Sequence, residues 1–97
     1  MYYLKLSGFI PKEKQLEFEQ TCMFISIQIP KTCISYNITK DAFEEQVYSF
    51  ISYWSFLSGL KSFELSPPYA VLAGAFRTLG ELYENTSGEL MQAMINE

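Results

Sequence analysis

The chain has 97 residues and a formal charge of −4, with 11 acidic side chains against seven basic ones and no histidine. That length makes one domain, residues 1–97, able to bury somewhat more than ~60% of the surface its unfolded form would expose. The basic residues are scattered, so the sequence lacks both the footprint of a nucleic-acid binder and the basic amphipathic helix of a membrane-surface protein. No run approaches the ~20 apolar residues of a membrane span. Residues 1–5 lack a basic start followed by a long apolar run, so no signal peptide and a cytoplasmic location are expected.

Residues 2–10 alternate in part, are rich in β-formers and end at Pro11, which predicts a first strand. Residues 12–28 read as a helix ended by Pro30, because Phe18, Cys22, Ile25 and Ile29 fall at spacings of four, three and four. Locally this is not settled, since Phe24 to Ile29 also alternate like a strand and carry β-branched residues. Residues 33–39 form the second predicted strand, 40–45 a turn, and 46–54 the third strand, with aromatics at alternate positions. Residues 55–65 follow as a short helix, capped by Ser55 or Ser58.

The next helix has a written start and stop. Ser66 is placed to accept from the unpaired amides of the first turn. Pro67 takes the first helical position, where its missing N–H costs nothing. Val71, Leu72, Ala75, Phe76 and Leu79 make one apolar face, and Gly80 suits a left-handed close. A loop through 85–88 then leads to a last strand at about 89–95.

This order is the ferredoxin-like βαββαβ plan, an α+β fold in which an antiparallel sheet carries its helices on one face. Nothing in the chain is left to cover the other face. Eight Phe, seven Tyr and one Trp exceed what a small monomer hides. They point to a homo-oligomer that buries aromatic surface, or to an aromatic-lined pocket.

The absence of histidine removes the commonest general base, the Ser-His and Cys-His nucleophile pairs and the usual zinc and haem ligand. Gly8 before Phe9 is no phosphate loop. Glu17 and Glu19 point to different helix faces, and Glu44 and Glu45 lie in a turn, so all four read as solvated. No metal site and no cofactor are expected. Cys22 and Cys33 form no Cys-x-x-Cys motif and read as free thiols. On the third strand Tyr48, Phe50, Ser52 and Trp54 share one face, and Val47, Ser49, Ile51 and Tyr53 the other. Aromatic side chains with a few hydroxyls suit a flat, partly polar ligand such as a phenol or quinol. The same residues serve equally well as core. Tyr36 and Tyr69 are further candidate lining residues.

Trp54 and Ser55 at the end of an aromatic strand, Leu60, and Ser66-Pro67-Pro68-Tyr69 through Leu72, Gly74, Ala75 and Leu79 resemble the antibiotic biosynthesis monooxygenase (ABM) family. The resemblance runs from Tyr2 to about Leu79. It implies a dimeric α+β barrel, in which the open sheet faces of a homodimer pack together and the Trp54 face looks toward the helices and a small pocket. Family members often carry a His nine residues after the strand Trp; here that position is Phe63. Haem-degrading relatives use such a His and an Asn on the first strand, and this chain has neither.

Cofactor-free relatives oxidise hydroquinone-like aromatics with dioxygen. By that resemblance the chain is a small cofactor-independent monooxygenase for a phenolic or quinol-type substrate. Trp54 orients the ring, and Tyr36, Tyr48 or Ser52 hydrogen-bonds a substrate hydroxyl. Phe50, Ser52, Phe63 and Tyr69 line the site. The alternative is a non-catalytic dimeric module of the same fold, with a pocket that is filled or takes a small ligand. The space beside Trp54 separates the two: an open, partly polar cavity points to the enzyme, a filled one to the module.

Overall fold

Alternation in the sequence decides how the sheet is buried. The computed structural model describes residues 1–91. Its elements are β1 (Tyr2–Phe9), a 3-10 turn (Lys12–Lys14), α1 (Gln15–Ser26), β2 (Cys33–Lys40), β3 (Val47–Trp54), α2 (Leu57–Glu64), α3 (Pro67–Leu79) and β4 (Glu81–Glu89). The strands form one antiparallel sheet in the order β2-β3-β1-β4. This is the expected βαββαβ arrangement, with the second helical crossover split into α2 and α3.

Along β3 every second residue is buried: Tyr48, Phe50, Ser52 and Trp54. Their β1 neighbours Leu4 and Leu6 are fully buried beside Ser52 and Phe50. The helices close over this face with Phe18, Cys22 and Ile25 from α1, Leu60 and Phe63 from α2, and Leu72, Ala75 and Phe76 from α3. Each large apolar side chain buried in this way contributes ~1.5–3 kcal/mol, so the one-sided core is the main source of stability. The other sheet face presents Val47, Ser49, Ile51 and Tyr53, all half-buried. Ser7 and Ser49 share a hydrogen bond of 2.7 Å, and Lys5 pairs with Glu84 at 3.5 Å.

α1 settles the helix-or-strand ambiguity in favour of a helix, which ends at Ser26 rather than 28. The Ser26 hydroxyl donates to the Met23 carbonyl at 2.6 Å, and the Gln28 amide donates to Ile25 at 2.8 Å. The strand-like reading arose because α1 is apolar on both sides: Met23 and Phe24 are exposed while Cys22 and Ile25 are buried. The predicted caps are corrected. Phe56, not Ser55 or Ser58, precedes α2, with no side-chain cap. Ser66 does precede α3, but its hydroxyl donates backward to the Phe63 carbonyl at 2.6 Å, tying α3 to α2.

Gly80 is extended (φ −162°) rather than left-handed. A glycine is needed there because a Cβ would collide with the Phe9 carbonyl. The last strand is also corrected: it runs Glu81–Glu89, through the residues expected to be a loop. β4 is an edge strand paired only with β1, and edge strands tolerate polar sequence such as Asn85-Thr86-Ser87. Residues 92–95 of the expected strand lie outside the described residues. No helix among the described residues is long and apolar enough to cross a membrane.

Candidate functional site

The helix-facing aromatics fall into two clusters. At the Trp54 end, Phe63 is the hub. Its ring centroid lies 5.3 Å from Trp54, 5.7 Å from Tyr69 and 6.2 Å from Phe50, and Phe50 lies 6.2 Å from Tyr36. These separations are those of favourable offset and edge contacts. The second cluster joins Phe18 to Tyr48 (5.0 Å) and to Phe76 (4.8 Å). The structure thus brings together Tyr36, Phe50, Ser52, Trp54, Phe63 and Tyr69, and places Tyr48 elsewhere.

The polar atoms of the Trp54 cluster are turned inward. Trp54 Nε1 donates to Ser52 Oγ at 2.9 Å, and Ser52 Oγ donates to the Leu4 carbonyl at 3.4 Å. The Tyr36 hydroxyl donates to the Ser26 carbonyl at 3.2 Å, bridging β2 and the end of α1. The Tyr48 hydroxyl donates to the Glu19 carboxylate. Burial, reinforced by that hydrogen bond and by the Glu19 charge, holds the Tyr48 phenol well above its ordinary pKa, so it stays protonated. Tyr69 is half-buried, and its hydroxyl has no partner among the described residues.

A cleft of about 180 Å³ opens above Phe63, with Gln28, Thr32, Gly59, Ser62 and Ser66 on its walls. Gly59 separates the cleft from the indole: a Cβ there would stand 3.4 Å from Trp54 Cε3 and 3.6 Å from Thr32 Cβ. The cleft is smaller than the ~300–1,000 Å³ of typical ligand pockets. Beneath it Trp54 and Phe50 are fully buried and Phe63 is 2% exposed. The space beside Trp54 is therefore filled by side chains. Two larger hollows are remote from these aromatics. One of about 330 Å³ lies at the β2–β3 turn by Phe43, and one of about 280 Å³ lies between α1 and α3 by Gly74.

Cys22 and Cys33 are free, as expected. Burial, with a smaller push from Glu19, raises the Cys22 thiol to about 12, which leaves it an inert core residue. The described residues hold no cluster of three or more His, Cys, Asp or Glu able to take a metal.

Sequence reasoning missed three residues here. Glu19 is exposed, as read, but it also accepts from the Tyr48 hydroxyl, a role the sequence reading did not give it; its place beside the inward Phe18 lets it reach over the helix edge. Gly59 carried a signal, a lone glycine inside a helical segment. Thr32, in the segment between α1 and β2, carried none.

No family model matches this sequence, and no curated protein matches it. Solved structures do resemble it. A protein of Deinococcus radiodurans, provisionally named an antibiotic biosynthesis monooxygenase, superposes with a TM-score of 0.81 at 16% identity, over 95% of this chain and 94% of its own. A Bacteroides thetaiotaomicron protein of unknown function, described as a possible oxidoreductase, gives 0.80 at 14% identity over 92% and 96%. A Caulobacter crescentus protein, also provisionally named an antibiotic biosynthesis monooxygenase, gives 0.75 at 16% identity over 90% and 84%. The resemblance read from residues 54–79 is thus borne out at the level of fold: this chain has the ferredoxin-like α+β fold of solved structures bearing the ABM name.

Proposed function

We propose that the protein is a homodimeric, non-catalytic module of this fold that takes a small aromatic ligand at the cleft above Trp54. One observation carries the reading. The hydroxyls of Tyr36, Tyr48 and Ser52 are all engaged within the chain, and the indole N–H is engaged with Ser52. None of these four groups can hold or deprotonate a substrate hydroxyl without breaking a bond that ties the fold together. The hydroxyl residues left at the cleft, Thr32 and Ser62, suit the binding of a ligand's polar group rather than its deprotonation. A shared fold does not by itself carry chemistry. The dimer is supported by the sheet face bearing Val47, Ile51 and Tyr53, which is only half-buried in one chain. An obligate interface of that kind buries more than ~2,000 Å² in total, and light scattering at micromolar concentration is expected to find two chains.

The second reading is a monooxygenase acting on a phenolic or quinol-type substrate without metal or flavin, the substrate giving its electrons to dioxygen. It is favoured by the cleft reaching Phe63 and Gly59, which lie directly over the indole, and by the ABM name on proteins of the same fold. Oxygen uptake with a hydroquinone panel, run on the wild type and Trp54→Phe together, decides between them. The module shows no uptake above the rate without protein. Uptake by the wild type that Trp54→Phe diminishes would establish the monooxygenase instead.

A further inference from the structure

We propose that Phe63 is the gate of the cleft, and that a single-ring aromatic with one polar substituent binds by taking the place of its phenyl ring against Trp54. The inference rests on the cleft being the ligand site and names the residue that controls entry and the ligand class that fits. Among the described residues, Phe63 is the one that both lines the cleft and packs on Trp54, Phe50 and Tyr69. Its ring fills an aromatic box that is closed on three sides and opens toward the cleft. An aromatic ring of the same size, entering from the cleft as Phe63 swings out, meets the same three partners at the same favourable separations. An apolar cavity of only ~150 Å³ is enough to hold benzene in an unrelated engineered protein. The cleft of about 180 Å³ joined to the space of the phenyl ring is larger than that.

Three features let Phe63 move. α2 has eight residues and only two buried side chains, Leu60 and Phe63. A helix that short has little stability of its own, so its position depends on those two contacts and on the Ser66 bonds to the Phe63 carbonyl, which hold the backbone and leave the side chain free to change rotamer. Leu65, just beyond it, is 89% exposed and anchors nothing. Tyr69, which meets Phe63 edge-on, has no hydroxyl partner among the described residues and can turn aside. Thr32 and Ser62 line the cleft and offer hydroxyls to a ligand's polar group. Gly59 is the thin point of the wall: it lines the cleft directly over the buried indole, where a Cβ would stand between Trp54 and Thr32.

The two residues predict opposite effects. p-Cresol is titrated into the wild type, Phe63→Ala, Phe63→Leu and Gly59→Ala, and the emission of Trp54, the only tryptophan, is followed. Phe63→Ala is expected to bind at least tenfold more tightly than the wild type, with Phe63→Leu in between. Gly59→Ala is expected to bind at least tenfold more weakly. It should do so with its circular dichroism intact and its Tm unchanged or raised, because the new Cβ makes only ordinary contacts and alanine is the better helix former. Equal dissociation constants in all four proteins overturn the gate while leaving the cleft a ligand site. No saturable response in any of them overturns both. If Phe63→Ala does not fold, the Phe63→Leu and Gly59→Ala pair still decides: wild-type affinity in both overturns the gate.

Discussion

The two aromatic clusters sit on the same face of the same sheet, yet they are covered differently. Phe18, Tyr48 and Phe76 are clamped between α1, β3 and the 13-residue α3, with the Tyr48 hydroxyl held by Glu19 across the helix edge. Phe50 and Trp54 are covered by Phe63 of the eight-residue α2, with Tyr69 from the first turn of α3 edge-on to it, and α2 has a glycine above the indole and a cleft beside it. The residue types are alike and both sets are mostly buried. What differs is the cover, the bodies of two long helices with a polar latch over one, and a short helix with a glycine and a cleft, joined by the first turn of α3, over the other. Aromatic content alone does not make a binding site; the thickness and anchoring of the layer above it do.

The strongest way to sharpen that comparison is to remove one ring from each cluster. Phe76→Ala leaves a cavity in the sealed cluster and is expected to destabilise by about 3–5 kcal/mol in denaturant unfolding. Its p-cresol affinity should stay at the wild-type value. Phe63→Ala should lie at or below the low end of that range, because the cleft already borders the ring and water enters the space it leaves. Equal losses would mean that the two clusters are equally sealed.

High pH should strike the sealed cluster. Cys22 and Tyr48 are neutral when protonated, and both hold their protons more tightly folded than unfolded. Above the ordinary thiol value of 9.0 the unfolded chain loses a proton that folded Cys22 keeps, so stability falls as pH rises toward about 12. Tyr48 adds to the fall once pH passes its ordinary value of 10.0. Cys22→Ala should flatten the slope of unfolding free energy against pH from about pH 9 upward. An unchanged slope would show that the thiol is not sealed.

A smaller loss is expected from Tyr48→Phe, which keeps the ring and deletes the bond to Glu19. The expected cost is about 1 kcal/mol, since the freed carboxylate is exposed and finds water. The smallest effect belongs outside both clusters. Asp41 Oδ1 accepts from the Phe43 and Glu44 amides, each at 2.8 Å, and these bonds hold its carboxyl below the ordinary range. That contribution is present above the ordinary carboxylate pKa and lost as pH falls through the folded value. Asp41→Ala should erase this acid-side dependence and leave p-cresol binding unchanged.

Much of the fold was legible because local signals agreed. The bounds of α3 follow from Ser66, Pro67 and the spacing of Leu72, Ala75 and Phe76, and the buried face of β3 follows from strict alternation. β4 was not legible, because an exposed edge strand has no need of an apolar pattern and Asn85 to Gly88 read as turn residues. Ser66 fills the capping position but spends its hydroxyl on Phe63, a tertiary choice that no local rule contains.

The site was legible in part for a geometric reason. Alternation tells which side of the sheet a residue faces, not how far along the strand it lies. Tyr48 and Trp54 share a face but are six residues apart, roughly 20 Å along a strand, so one belongs to the latch and the other to the cleft. The pairing of Tyr36 with Ser26 and of Tyr48 with Glu19 depends on how α1 lies over the sheet, which the sequence does not state.

The most direct test uses the single indole N–H of the chain. Trp54 Nε1 is bonded to Ser52, and its proton gives one resolved NMR signal. On titration of the wild type with p-cresol, that signal and the backbone amide signals of Gly59 and Phe63 should move together and saturate, while those of Phe18 and Phe76 stay in place. An indole signal that does not move at millimolar p-cresol, or shifts centred on Phe18 and Phe76, would contradict the account.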